Sequence, residues 1–423
     1  MKENKRAVWS WAFYDWGNSA YSTTVMAGFF PLFFKEYWAD PHNPNQSTFY
    51  LGMANSIASI VVASLAPLLG SIADQGSAKK KFLTFFAFLG VIMTGGLWMV
   101  SQGNWQMAVL FYVMATIGFA SGNVFYDSLL PDLASEERVD VVSSLGFGLG
   151  YLGGGLLFLV NVFMYLKPEI FGISDGATAI KLSFLSVAVW WAVFTIPLIL
   201  FVPEPKNYDS VNIKNAIQMG WIQLIKTFKE IRNMKVVGTF LLAYFFYIDG
   251  VDTIIKMAVD YGMSLNFSGE SLIIALLIVQ FVAFPAALVY GRLASKVGIK
   301  TAIMIGIIAY SFITLLGYFI TKTWHFYVLA ILIGLFQGGI QALSRSLYTR
   351  IIPAEKSAEF FGFYNMLGKF AAIIGPTLMG TISLVTGSAR LGILSILLLF
   401  ILGAFLLNKV DLDEGKRLAA EGL

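Results

Sequence analysis

The sequence predicts an all-α integral membrane protein. Twelve transmembrane helices are expected, arranged as two pseudo-symmetric six-helix bundles with both termini cytoplasmic. Three observations carry this expectation: the composition, the number of long apolar runs, and one polar break after the sixth run. Of 423 residues, 57% are hydrophobic and 13% charged; soluble domains average about 45–50% and about 25%. Mean hydropathy is +0.72. A soluble globule of this size would expose large apolar patches. The 37 Phe, 18 Tyr and 10 Trp exclude a disordered chain. Lys and Arg number 29 against 25 Asp and Glu, with no dense basic stretch, so no nucleic-acid partner is expected.

A helix crossing a hydrocarbon core of about 30 Å needs about 20 apolar residues. Such runs fall at 9–37, 49–73, 82–101, 105–129, 140–165, 179–202, 236–262, 270–294, 301–321, 325–349, 358–386 and 390–408. The first is too long for a signal peptide and lacks a small-residue cleavage site. The break at 203–235 separates an N-terminal bundle, 1–202, from a C-terminal bundle, 236–410, followed by a tail, 411–423. With the N-terminus inside, inner segments carry twenty-one Lys and Arg, and outer segments only Lys167, Lys322 and Arg390. That bias fixes the orientation and requires an even number of spans. Within the break, Ile213, Ile217, Trp221, Leu224, Phe228 and Ile231 recur at helical spacing. They form an amphipathic helix, either on the inner leaflet or packed under the bundle.

The absence of cysteine excludes disulfides, thiolate metal sites and thiol nucleophiles. His42 and His325 both fall in expected loops, which leaves no His-based metal centre or general base. No phosphate-binding GxxxxGK[ST] loop, Ser–His–Asp set or dinucleotide fingerprint occurs. The chain is therefore not expected to be an enzyme, to hold a cofactor or metal, or to run on ATP.

The halves echo each other. Gly70-Ser-Ile-Ala-Asp74 followed by Lys79-Lys80-Lys81 aligns with Gly291-Arg-Leu-Ala-Ser295 followed by Lys300, at an offset of 221. Leu145-Gly146, Gly153 and Pro131 align with Leu367-Gly368, Gly375 and Pro353 at 222. Two homologous halves related by an axis along the membrane normal describe the major facilitator architecture. The Gly70–Lys81 segment resembles the loop signature of that superfamily. It departs from it at Ser77, where a second glycine is expected, and the second copy has Ser295 for Asp. A gating salt bridge is thus confined to the N-terminal half. Gly70, Asp74, Lys79, Lys80 and Lys81 are the gating candidates, with Asp127 at the inner mouth expected to contact the basic loop. Trp11-Ala-Phe-Tyr-Asp15-Trp-Gly-Asn18-Ser-Ala-Tyr21 and Gln341-Ala-Leu-Ser-Arg345-Ser resemble the branch of autophagy-related vacuolar amino-acid effluxers and their bacterial relatives. The resemblance implies secondary transport, with spans 1, 4, 7 and 10 around a central cavity.

Ionisable groups inside a span are costly and so mark functional candidates. Asp249, Asp252, Lys256 and Asp260 recur at helical spacing in span 7, which puts them on one face. Asp252 and Lys256 can pair along the helix, leaving Asp249 without a local partner. Asp249 and Asp252 are either proton or substrate groups, or they pair with Lys369 or Arg345. Trp11, Asp15, Asn18 and Ser22 share a face of span 1, where Asp15 either lines the cavity or bonds span 5. Gln337, Gln341 and Arg345 form a stripe in span 10, and Asn365 and Lys369 lie four apart in span 11. Arg345 either binds a substrate carboxylate or pairs with an acid. The glycines of span 5 serve close packing, with or without rocking, and Pro285 and Pro376 should kink or end their helices.

The expected function is a secondary active transporter of a small polar solute, an amino acid or similar zwitterion. It would work by alternating access with proton coupling at Asp249, Asp252 or Asp15. Trp11, Asn18, Ser22, Lys256, Gln337, Gln341, Arg345, Asn365 and Lys369 are the substrate candidates. The alternatives are a passive facilitator for sugars or other small solutes, and a non-transporting receptor. Expected partners are the solute, protons and the lipid bilayer, for a monomer in the cell membrane.

Overall fold

The computed structural model describes residues 4–39, 44–204, 222, 225–226 and 234–421. Among these, all regular structure is helical. The linker helix expected within 203–235 and His42 lie outside the described residues. Helix α1 (Lys5–Ala20) starts at Asn4, whose side chain accepts the Arg6 and Ala7 N–H groups. The chain continues helically through π-type Tyr21–Phe29, a short α segment Phe30–Phe33 and π-type Phe34–Trp38. There follow α2 (Pro44–Gly76), α3 (Lys79–Gly96), α4 (Trp105–Ser128), α5 (Val139–Leu166) and α6 (Gly176–Phe201). The second half holds α7 (Lys235–Ser264), α8 (Gly269–Val297), α9 (Ile299–Phe319), α10 (Thr323–Ile351) and α11 (Ser357–Thr386). It ends with α12 (Leu397–Asn408), entered through the short helix Ala389–Ser395, and α13 (Leu412–Ala420).

Side chains mark several starts: Asn104, Asp175, Ser268 and Asp411 each accept a first-turn N–H of α4, α6, α8 or α13. Among the described residues, eleven helical spans are long and apolar enough to cross a membrane: α2 to α11, and Ala389–Asn408, which joins the short helix to α12. Their outward faces carry Phe85, Ile92, Leu200, Ile401 and Phe405, each more than half exposed, as lipid contact demands. Helices α8 and α11 run past Pro285 and Pro376, so neither proline ends its helix. His325, expected in a loop, lies in the first turn of α10, where Nδ1 accepts the Thr321 N–H at 3.2 Å.

Two apolar cores form. One draws on residues 7–202 together with Ala358, the other on residues 234–410. The first is aromatic: Trp11, Tyr14, Tyr21, Phe30, Trp38 and Trp191 are wholly buried, with Phe30 stacked on Tyr112 at 4.0 Å.

On the side that bears both described chain ends, the halves meet where α2 crosses α11 and α8 crosses α5, and the α8–α5 contact continues past Gly148 and Gly155, which face Phe284 and Gln280. A Cβ on Gly70 would lie 2.2 Å from the Ala358 carbonyl oxygen, and one on Gly291 2.5 Å from Ser144 Oγ. These are the two glycines that align in the sequence repeat. Each lets a helix of one half touch the other half's backbone or small side chain. Toward the opposite side α2 and α11 have room: a Cβ at Gly52 or Gly380 would meet nothing within 4 Å.

Gly70→Val should wedge this crossing open, because its nearest neighbour is backbone that cannot rotate away. A cysteine placed at Ser357, in this naturally cysteine-free chain, should then react with a water-soluble thiol reagent several-fold faster. An unchanged rate would mean that the crossing does not seal this side.

Candidate functional site

Between the halves lies a cavity of about 190 Å³. Asp15 of α1, Asn123, Tyr126 and Asp127 of α4, and Phe147 of α5 form one wall. Tyr244, Ile248 and Asp252 of α7, Gln341 and Arg345 of α10, and Tyr364, Asn365, Gly368 and Lys369 of α11 form the other. Asp15 accepts the hydroxyls of Ser19 at 3.2 Å and Tyr126 at 3.4 Å. Asn123 is held from behind by Asn18, whose Nδ2 donates to its Oδ1 at 2.6 Å. Tyr151 of α5 donates to Gln341 Oε1 at 2.6 Å across the halves. Tyr244 and Tyr364 stack at 4.1 Å and give the cavity an aromatic face.

The cavity floor is Arg345, 2% exposed. Its Nη1 donates to Asp127 Oδ1 at 2.9 Å, Nε to Ser143 Oγ at 3.0 Å and Nη2 to the Ser143 carbonyl at 2.9 Å. All three acceptors belong to the other half. The rings of Phe147, Trp11 and Tyr126 surround the guanidinium at 4.4, 5.0 and 5.3 Å, and Trp11 stacks on Tyr126 at 4.3 Å. A planar, weakly hydrated cation suits such a cage better than an ammonium does.

Two further sets of contacts close the side bearing the chain ends. Along α10, Ser346 bonds Asp140, and Arg350 Nη2 reaches Asp140 Oδ2 at 2.9 Å. Glu136 lies 3.6 Å from Arg350 and 2.5 Å from Lys416 of α13. On the other flank, Lys79 lies 3.4 Å from both Asp74 and Asp132 and donates to Ser357 Oγ at 2.7 Å. Asp74 accepts the N–H groups of Ala358 at 3.2 Å and Glu359 at 2.8 Å. A carboxylate of one half thus sits at the N-terminus of a helix of the other, where the dipole favours it.

Several sequence expectations change. Asp127 contacts Arg345, not the basic loop, because Lys79 is occupied by Asp74, Asp132 and Ser357. Lys80 turns into its own half: Nζ donates to the Val202 carbonyl at 2.8 Å and its N–H to Glu204 at 2.9 Å. Burial pushes the Glu204 carboxyl up from its ordinary range, against the pull of the Lys80 N–H. Lys81 is exposed. Asp249 and Asp252 meet different surroundings. Three residues place them about 60° apart around the helix, enough to send Asp252 into the cavity and Asp249 into the seam between α7 and α11. Asp249 is fully buried there and accepts the Gly375 N–H at 3.0 Å. Asp252 and Lys256 make no ion pair, and Lys256 is exposed, where pairing gains little. Lys369 also stands in the cavity without an ion-pair partner among the described residues.

Of the remaining candidates, Ser22 in the π-type segment after α1 donates to the Ser19 carbonyl at 2.9 Å, and Trp11 lies beneath the floor. Gln337 is buried with Oε1 unbonded, and Asn365 donates to Asp127 at 3.4 Å and to the Phe361 carbonyl at 3.0 Å. Sequence reasoning missed Asp140, Ser143, Glu136, Ser357 and Tyr151. A signal existed for part of this set. Pro131 and Pro353 align in the repeat, so the acidic stretch Asp132–Asp140 and the basic residues Arg350 and Lys356 flank equivalent turns of the two halves. Segments related in this way face each other with opposite charge.

The family model described as vacuole effluxer Atg22 like matches residues 41–139 and 135–420. The chain belongs to this family. It is 41% identical over 410 residues to the MFS-type transporter YxiO of Bacillus subtilis, covering 96% of this chain and 95% of YxiO. It is 27% identical over 416 residues to autophagy-related protein 22 of Saccharomyces cerevisiae, covering 86% and 77%. The fold is that of major facilitator transporters. The proton:xylose symporter XylE superposes with a TM-score of 0.74 at 15% identity, over 98% of this chain and 97% of XylE. The human organic anion transporter MFSD10 does so with 0.72 at 14%, over 95% and 99%. The Atg22-like chain is therefore a multi-pass membrane transporter of the major facilitator superfamily, and its relatives are transporters, not enzymes.

Arg345→Gln should leave Asp127 buried without its cation, at a cost of about 3–5 kcal/mol. Adding Asp127→Asn should restore much of that loss in thermal unfolding of the purified protein. A double variant that loses the sum of the two single effects would show the pair to be uncoupled.

Proposed function

We propose that this Atg22-like chain is a secondary active transporter of small zwitterions, amino acids foremost, coupled to protons and working by alternating access. The observation that carries this reading is the pair of uncompensated charges in one small cavity. Lys369 stands on one helix and Asp252 on another, with no ion pair between them, and Asp15 faces both from the other half. Opposite charges held apart match an ammonium and a carboxylate held apart in one solute. Tyr244 and Tyr364 supply the apolar face against which a side chain or an ammonium can lie. A volume of about 190 Å³ falls below the roughly 300–1,000 Å³ of pockets for drug-sized ligands, which favours a small solute.

The helical run 5–38 serves as the twelfth span in this reading, and both chain ends are cytoplasmic. The sealed side is then the inner one and the cavity is offered outward. Asp15 and Asp252 are the carboxylates placed to exchange protons with the cavity. The family description, vacuole effluxer, supports export as the direction, and the resemblance of the span 1 and span 10 segments to vacuolar amino-acid effluxers supports amino acids as cargo. Greater identity to a bacterial relative than to a fungal one supports the cell membrane as location.

The test is purified protein in liposomes with a trapped pH dye, challenged with single amino acids, sugars and amines. A solute gradient of an amino acid should move protons. Asp252→Asn should abolish proton movement, and Lys369→Gln should raise the KM for the zwitterion about tenfold. Exchange of labelled solute without any pH change would replace the coupled carrier with a uniporter. Flux of sugars alone would overturn the zwitterion.

A further inference from the structure

We propose that Asp249 is a positioning residue: it clamps the backbone of α11 and so fixes where Asn365 and Lys369 stand in the cavity. The inference rests on the transport reading above and gives Asp249 a role other than carrying a proton.

The side chain is fully buried near the middle of α7 and outside the cavity lining. Its Oδ1 accepts two donors, the Gly375 N–H of α11 at 3.0 Å and the Thr253 hydroxyl at 3.3 Å. A helix normally keeps its N–H groups for its own carbonyls. Here α11 offers one to another helix at the residue before a proline. Pro376 has no N–H and crowds the preceding turn, which weakens the ladder at this point. Asp249 supplies an acceptor where the ladder is weak. Gly375 makes the approach possible: a Cβ there would lie 1.9 Å from Thr253 Oγ1 and 2.7 Å from Asp249 Oδ1.

The other end of the same stretch is also held by an aspartate. Asp74 accepts the Ala358 and Glu359 N–H groups at the start of α11. Helix α11 is therefore pinned to each half by a carboxylate on its backbone, Asp74 from the N-terminal half and Asp249 from its own. Asn365 and Lys369 lie between the two pins. At 1.5 Å per residue, Lys369 is about 9 Å along the axis from the Gly375 clamp. When the halves part on the sealed side, the Asp74 contact breaks and the Asp249 contact remains. The clamp is then the fixed point about which Lys369 moves. Both of its contacts fall on one oxygen, and asparagine presents the same oxygen.

That last point separates a clamp from a proton carrier. In an Asp249→Asn protein, a clamp persists and a carrier is lost. The chain has no cysteine, so Lys369→Cys provides a single thiol whose labelling rate by a charged thiosulfonate reports its position without any knowledge of the solute. Beside native Asp249 and Asp249→Asn the rates should agree within about twofold, whereas Asp249→Ala should shift the rate about tenfold. In chains that retain Lys369, Asp249→Asn should keep the KM and the pH profile of transport. Asp249→Ala should raise KM about tenfold with kcat within about threefold. If Asp249→Ala does not purify as a folded protein, Thr253→Val carries the labelling test with a smaller shift of about threefold. A flattened pH profile in Asp249→Asn makes Asp249 a proton carrier and overturns the inference. So does an unchanged labelling rate when the clamp is removed. If no solute is transported by the native chain, the transport reading fails and the labelling rates alone decide the clamp.

Discussion

The Arg345 guanidinium is buried between the two halves, and its charge cannot be deprotonated away. A cation in that position needs acceptors on every side, and the protein provides them from the other half: Asp127, the Ser143 hydroxyl and the Ser143 carbonyl. The aromatic cage follows from the same need, since ring faces are the only apolar surface that also attracts a cation. The Trp11–Tyr126 stack packs against this group, and the crossing of α5 past α10 and the floor of the cavity are built around it. Losing either member of the pair leaves a buried charge unpaired, which costs more than the pair itself contributes.

The contacts between the halves differ in kind from those within them. Each half has its own apolar core, rich in large aromatic side chains. The seam on the sealed side is made of glycine, serine, backbone groups and ion pairs. Water can replace a hydrogen bond or an exposed ion pair at small net cost. It cannot replace buried phenylalanine without a penalty that scales with area. A seam of this composition parts without exposing the cores. In the alternating-access cycle proposed above, each half would move as a unit held by its own apolar core, and the polar seam on the sealed side would part, while along α8 Ile273, Leu276, Leu277 and Phe284 pack against the first core. The pair formed by Lys416 and Glu136 is partly exposed and adds little to this adhesion. The Arg345 and Asp74 contacts are buried.

Much of this was legible in the sequence. Gly70 and Gly291 were marked by the repeat alone, and the structure places both at helix crossings between halves. The polar stripes of spans 1, 7 and 10 each deliver at least one residue to the cavity. What the sequence did not show was rotation. A period of 3.6 residues groups side chains onto a face, but it does not say which way that face points. Asp249 and Asp252 were grouped together, and a turn of about 60° separates the seam from the cavity. Partners across the halves were also hidden, because pairing depends on three-dimensional register. Asp127 lies within reach of a basic loop in sequence and is claimed by an arginine 218 positions away.

The unpaired charges of the cavity also constrain the transport cycle proposed for the chain. Lys369 and Asp252 are tolerable while the cavity admits water, because hydration stabilises each charge separately. Closing the cavity removes that water and raises the cost of both. An empty cavity therefore resists closure. A zwitterion offsets the cost by bringing an anion to Lys369 and a cation to the carboxylates. A proton does so for a carboxylate alone and leaves the lysine to be matched. In the proposed cycle, closure would be favoured when the entering species together cancel the charges of the walls, which would tie solute movement to proton movement without any direct contact between the two. The floor enforces the same rule from below. Asp127 is shared between Arg345 and Asn365, so in the proposed cycle whatever draws Asn365 toward the cavity centre would take one donor from the acceptor that holds Arg345.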